Sequence, residues 1–145
     1  MALVLSVPLI WLTVVDLRSF VIPDVATLLV AMVGLIRLAK DNPGAGLAFE
    51  IIAAIMILGF FWMIGEIYWR KSGQEALGIG DAKLMAAGAL CVGIAQFWLV
   101  LLLASVGGIM AMVLSRKSPT GIGRGVAFGP FLAFAIFLVF LTGAF

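Results

Sequence analysis

Apolar residues run along this chain in long, nearly unbroken blocks. They do not alternate as in half-exposed strands, nor recur in the narrow stripe of a water-facing helix. Six blocks stand out, at about residues 2–20, 22–39, 47–69, 79–94, 96–115 and 126–144. A membrane-crossing helix needs roughly 20 mostly apolar residues. The pattern therefore predicts an all-α polytopic membrane protein, a bundle of six transmembrane helices built as one domain over residues 1–145.

The division between the fourth and fifth blocks rests on length and charge. Leu84 to Ser115 is a run of 32 positions without a charged residue. As one helix it would be about 48 Å long, against a hydrocarbon core of about 30 Å. A break near Gly93 to Gln96 resolves the mismatch. With six spans and an extracytoplasmic N-terminus, the cytoplasmic side holds Arg18, Arg70, Lys71, Lys83, Arg116, Lys117 and Arg124, while Arg37 and Lys40 lie outside. That asymmetry is what the positive-inside rule expects, and fusing the two blocks would reverse it. Both termini then lie outside the cytoplasm. No Lys or Arg precedes the first block and no small-x-small site follows it, so it reads as a retained span.

Composition narrows the chemistry. Of the 145 residues, 65% are hydrophobic and 11% charged, where a soluble domain has about a quarter charged. Histidine is absent, which excludes Ser-His-Asp and Cys-His catalysis and the usual zinc sites. The single cysteine, Cys91, excludes an internal disulfide or a CxxC clip. A dispersed net charge of +2 points to no nucleic-acid partner. No cofactor and no metal are expected.

The acids are the remaining chemistry. Asp16 falls near the cytoplasmic end of the first span and Asp81 at the cytoplasmic start of the fourth, so alternating spans bring them to one face. An Asp at mid-bilayer costs roughly 2.5–3.5 kcal/mol, less near the rim, so both positions need a reason. Two carboxylates at one depth can form a catalytic pair, one ionised to activate water and one protonated toward a carbonyl. Such a pair titrates as a unit, which assigns the proton to neither. Gly78-Ile79-Gly80 directly precedes Asp81, and glycine allows a second chain to approach closely.

Three segments carry a family resemblance: Asp16-Leu17-Arg18 leading to Val21-Ile22-Pro23-Asp24, then Gly78-Ile79-Gly80-Asp81-Ala82-Lys83-Leu84, then Phe128-Gly129-Pro130-Phe131-Leu132-Ala133. In this order the chain resembles the type IV prepilin peptidases, within the intramembrane aspartic proteases named for a GxGD motif. The resemblance implies that Asp16 and Asp81 are the catalytic acids. It implies cleavage of the short leader of pilin-like precursors at the cytoplasmic face of the bacterial inner membrane, beside the substrate's own membrane helix. Gly78, Gly80, Lys83, Arg18, Gly129 and Pro130 are then the residues expected to shape the site or meet substrate. Larger members carry a cytoplasmic domain with paired cysteines, associated with methylating the new N-terminus. Cys91 stands alone here, so the expectation is a short, peptidase-only form of the Flp (tight-adherence) type. Val126-Ala127 stands where many relatives have a proline.

Plainer readings stand beside these. Asp16 beside Arg18 is a poor helical ion pair, since residues two apart point about 200° apart. Asp81 suits a helix N-cap. Lys83 either orients substrate or snorkels to headgroups. Asp24 suits a first helical turn, as does Glu50 in the third span, and Glu66 with Arg70 suits an ordinary pair. Gly121-Ile122-Gly123-Arg124-Gly125 lacks the rest of a phosphate loop and reads as a connection. Trp11, Trp62, Tyr68, Trp69 and Trp98 suit anchoring or packing, Cys91 the core, and Gly59, Gly88, Gly93, Gly107 and Gly108 close helix contacts. Ser72 and Ser118 beside Lys71 and Lys117 sit in watery loops, poor ground for a basic lysine. A small proton- or cation-coupled transporter and a non-enzymatic pilus assembly scaffold remain open alternatives. Membrane lipids are partners in any of these readings, and a homo-oligomer stays open.

Overall fold

The computed structural model describes residues 1–19, 21–41, 43–73, 78–115 and 128–143. Six helices follow one another: α1 (Ala2–Ser19), α2 (Asp24–Asp41), α3 (Ala45–Ser72), α4 (Ile79–Val92), α5 (Ile94–Ser115) and α6 (Gly129–Thr142). No strand occurs among the described residues. Every boundary lies within three residues of the blocks read from the sequence. The charged residues Arg116, Lys117 and Arg124, the glycine tract 121–125, Ser118 and Val126-Ala127 lie outside the described residues.

The break between α4 and α5 falls at Gly93, whose φ of 84° is open to glycine and strained for other residues. Its N–H closes α4 on the Ala89 carbonyl at 2.8 Å. The first N–H groups of a new helix need acceptors, and hydrocarbon offers none. Glu50 supplies one, its Oε2 accepting from the Ile94 N–H at 2.8 Å. This corrects the expectation for Glu50. No acid occupies the first turn of α3, and the Glu50 carboxylate serves the start of α5 instead.

Helix α4 is the axis of the bundle and packs on α2, α3, α5 and α6. Its small residues make this possible: Ala82, Ala87, Gly88 and Ala89 are all buried. Gly34 of α2 lies against the α4 backbone, where a Cβ would come within 2.7 Å of the Cys91 nitrogen. Gly88 meets Ile136 of α6 in the same manner. Close approach through small residues is how membrane helices associate. Gly59 departs from that expectation: nothing lies within 4 Å of its missing Cβ. Cys91 is a core residue, its thiol donating to the Val30 carbonyl at 3.2 Å.

The periphery is apolar. Ile52, Ile55, Met56 and Phe60 of α3 and Leu102, Val106, Ile109 and Met110 of α5 are exposed. A surface of that kind suits lipid and not water. By length and composition α1, α3 and α5 can each cross a membrane, while α6 is a shorter apolar helix. The 14 residues of α4 reach only about 21 Å, because glycines stop it at both ends.

Consecutive helices alternate in direction. One end of the bundle gathers the end of α1 and the starts of α2, α4 and α6. The other gathers the ends of α2, α4 and α6 with the starts of α3 and α5.

Candidate active site

Leu5, Leu9, Leu12 and Asp16 recur every three or four residues along α1, and all four are buried. Asp16 therefore continues the core-facing stripe into the first-named end. Arg18 lies about 200° further round and is exposed. The weakness expected of that pair is what the helix delivers. Asp16 Oδ2 has no hydrogen-bond partner among the described residues. A buried carboxylate oxygen in that state is costly and calls for an explanation.

Asp81 stands in the first turn of α4 and is half-buried. Gly78 is the N-cap, extended at φ −62° and ψ 139°. Asp81 is three residues further in, so the capping role considered for it belongs to Gly78. The Gly78 carbonyl accepts the Asp81 N–H at 3.0 Å. A Cβ on Gly78 would lie 3.6 Å from Asp81 Oδ2. Gly80, directly before Asp81, packs on Ile22, and Gly129, against Asp16, packs on the same side chain, so the two acids lie at one corner of the bundle.

Two more glycines set the spacing. A Cβ on Gly80 would come within 2.9 Å of the Ile22 Cβ. A Cβ on Gly129 would collide with the Asp16 carboxylate and lie 3.3 Å from Ile22 Cδ1. Ile22 is thus wedged between the starts of α4 and α6, and Gly129 is the floor under Asp16. Pro130 lies in the first turn of α6, where its fixed φ and missing N–H cost nothing. All three sequence segments meet at this end.

Lys83 Nζ donates to Asp24 Oδ1 at 2.7 Å, tying α4 to the first turn of α2. The sequence placed both residues at this face without pairing them. Arg18 makes no ion pair among the described residues. Glu66 and Arg70 pair at 2.8 Å as expected. Beside the α4 start lies a cavity of about 220 Å³, lined by Phe61, Trp62, Glu66, Trp69, Gly78 and Ile79 among others.

The opposite end holds a cluster that sequence reasoning missed. Arg37 donates to the Cys91 carbonyl at 2.8 Å and the Gly143 carbonyl at 3.1 Å. It also reaches Asp41 at 3.3 Å and lies 4.6 Å from the centre of the Phe140 ring. The available signal was a charge inside an apolar helix, which generally has a specific partner.

The profile of the type IV leader peptidase family matches residues 3–113. A prepilin leader peptidase/N-methyltransferase of Escherichia coli is 33% identical over 122 residues, covering 84% of this chain and 54% of the relative. That of Dichelobacter nodosus is 32% identical over 143 residues, 99% of this chain and 49% of the relative. That of Neisseria gonorrhoeae is 30% identical over 138 residues, 95% and 47%. The chain thus spans about half the length of the curated relatives it matches. No solved structure matches it.

Proposed function

The chain belongs to the type IV leader peptidase family, and on that premise we propose that it is an intramembrane aspartic endopeptidase cleaving the leader of prepilin-like precursors. One observation carries the aspartic part. Asp16 is buried with an unsatisfied oxygen, at the same corner as Asp81, where Gly80 and Gly129 let the helix starts close in around Ile22. Placing a second carboxylate near an unsatisfied one is hard to account for by stability and is what two-acid hydrolysis needs.

The proposed reaction is a direct attack by water. One carboxylate takes a proton from water as the water oxygen bonds to the scissile carbonyl carbon. The other, protonated, donates to the carbonyl oxygen. In the tetrahedral diol that results, the C–N bond breaks as the amine takes up a proton, and the pair regains its single shared proton. Gly78, which lines the cavity beside the α4 start and has only Asp81 Oδ2 near its missing Cβ, leaves room for an extended substrate backbone beside Asp81. The reading covers hydrolysis only, the first half of the relatives' double name. Its setting is the bacterial inner membrane, with both termini extracytoplasmic and the acids near the cytoplasmic face. The seven-to-two charge count supports that orientation. The relatives' names favour this chemistry over a transporter or an assembly scaffold.

Reconstituted protein should shorten a pilin precursor by its leader. Asp16→Asn and Asp81→Asn should each lower the rate by about 10³-fold or more while the protein still accumulates. Undiminished cleavage by both variants would remove the aspartic assignment.

A further inference from the structure

Between α1 and α6 runs an apolar cavity of about 480 Å³. We infer that this groove is the dock for the substrate's own apolar membrane helix, an inference that rests on the peptidase reading above.

Three features of the groove point to that occupant. Its walls are two helical faces: Ser6, Ile10 and Thr13 on α1, and Pro130, Ala133 and Phe137 on α6. Each set recurs at three or four residues, the spacing that a third helix laid alongside would match. The polar groups make no demand on the occupant. Ser6 donates to the Leu3 carbonyl at 2.9 Å and Thr13 to the Leu9 carbonyl at 2.8 Å, both within α1. What they present to the groove is small surface, the kind that lets membrane helices approach.

The third feature is where the groove leads. Val14 lines it two residues before Asp16, and Pro130 lines it directly after Gly129, the floor under the Asp16 carboxylate. From Ser6 to Val14 it extends about 12 Å along α1, and its outer rim is open, with Ile10 and Phe134 exposed. In hydrocarbon a bound polypeptide must satisfy its own backbone, so the segment lying there is helical. Just past its end, toward the corner where Gly129 meets Asp16, the chain can become extended and present its peptide bond to the acids. The dock thus measures the cut from the end of the substrate's membrane helix.

The test compares two substrates in liposomes: a full pilin precursor, and a short peptide that spans the cut but lacks the membrane helix. Ser6→Phe and Thr13→Phe fill the groove, and Val4→Phe is the control, since Val4 is exposed and outside it. Filling should raise KM for the full precursor about tenfold with kcat within twofold, leaving the short peptide and the control unaffected. Equal losses on both substrates, or no loss on either, would overturn the dock; the latter is the result if lipid or a second copy of this chain fills the groove. A second arm needs no turnover. Ile10→Cys should form a disulfide with a cysteine placed in the precursor's helix, and Val4→Cys should not. Equal cross-linking at both positions, or none, would overturn the dock while leaving the peptidase reading intact. Wild-type protein that cleaves neither substrate would instead overturn the peptidase reading itself.

Discussion

The two ends of the α2–α4–α6 assembly bury polar groups in opposite ways. At the far end Arg37 meets the Cys91 and Gly143 carbonyls, the Phe140 ring and Asp41. Glu50 there supplies the acceptor that the start of α5 needs. Each charge is matched to the helix terminus that suits it: a cation to C-terminal carbonyls, an anion to an N–H. At the near end the Gly129 N–H, at the start of α6, bears on the Asp16 carboxyl, yet Asp16 Oδ2 makes no hydrogen bond of good geometry among the described residues, and Gly129 keeps the space beside it empty of side chain. Both arrangements sit in apolar surroundings where unpaired polar atoms are costly. The difference teaches how to read such atoms in a bilayer. A charge whose partners are built in holds helices together. A buried carboxylate with one oxygen left unsatisfied is held ready for a ligand or for chemistry.

Gly129 offers the largest break in that comparison. In an open helix position Gly→Ala stabilises by about 1 kcal/mol, and Gly59, with nothing within 4 Å, should behave so. At Gly129 the added methyl displaces the Asp16 carboxylate. A displacement of about 1 Å at a reacting group can cost 10²-fold in rate. Gly129→Ala should therefore lose about 10²-fold in precursor cleavage while thermal unfolding in detergent changes little. Gly59→Ala should keep full cleavage. Wild-type rates in Gly129→Ala would show that Asp16 needs no fixed position.

Arg37 sharpens the other side. Hydrogen bonds to a charged group contribute about 1.5–3 kcal/mol each, and a cation–π contact adds about 0.5–2 kcal/mol. Arg37→Ala leaves two helix-end carbonyls without their donor. A loss of about 2–4 kcal/mol in unfolding free energy is expected, with kcat within about threefold at temperatures where the protein stays folded. A large fall in kcat in folded protein would mean that the two ends are coupled and not separate.

Much of the fold is legible in the sequence. The six helices follow from block lengths, and the α4–α5 break follows from a charge-free run too long for one span. The candidacy of Asp16 and Asp81 follows from their shared face and the glycines before Asp81. What escaped were contacts between residues far apart in sequence. Glu50 reads as a residue of α3, and only the fold shows that it reaches Ile94 of α5. Arg37 reads as a stray outside charge, since nothing local says that α4 and α6 end beside it. Gly129 was legible as a motif, whereas its role as the floor under Asp16 depends on how α6 packs on α1. Periodicity reports which face of a helix is buried, and it does not report against what.

The Lys83–Asp24 pair falls between the two patterns and sets the smallest prediction. It lies at the acid end, yet it is matched, at 2.7 Å with side chains 41% and 74% exposed. Exposed pairs contribute about 0.2–1 kcal/mol, less at high salt. If it is only a tie between α4 and α2, then Lys83→Gln and Asp24→Asn should each leave stability within about 1 kcal/mol and cleavage within threefold. The two variants separate a tie from a substrate contact. Removing Asp24 leaves the Lys83 ammonium without its partner. An ammonium that receives an acidic group of the precursor would then bind it better, lowering KM in Asp24→Asn while raising it in Lys83→Gln. Opposite shifts of that kind, tenfold or more, would move Lys83 from the matched class to the class of groups held ready, and the boundary between the two patterns would run through α4 itself.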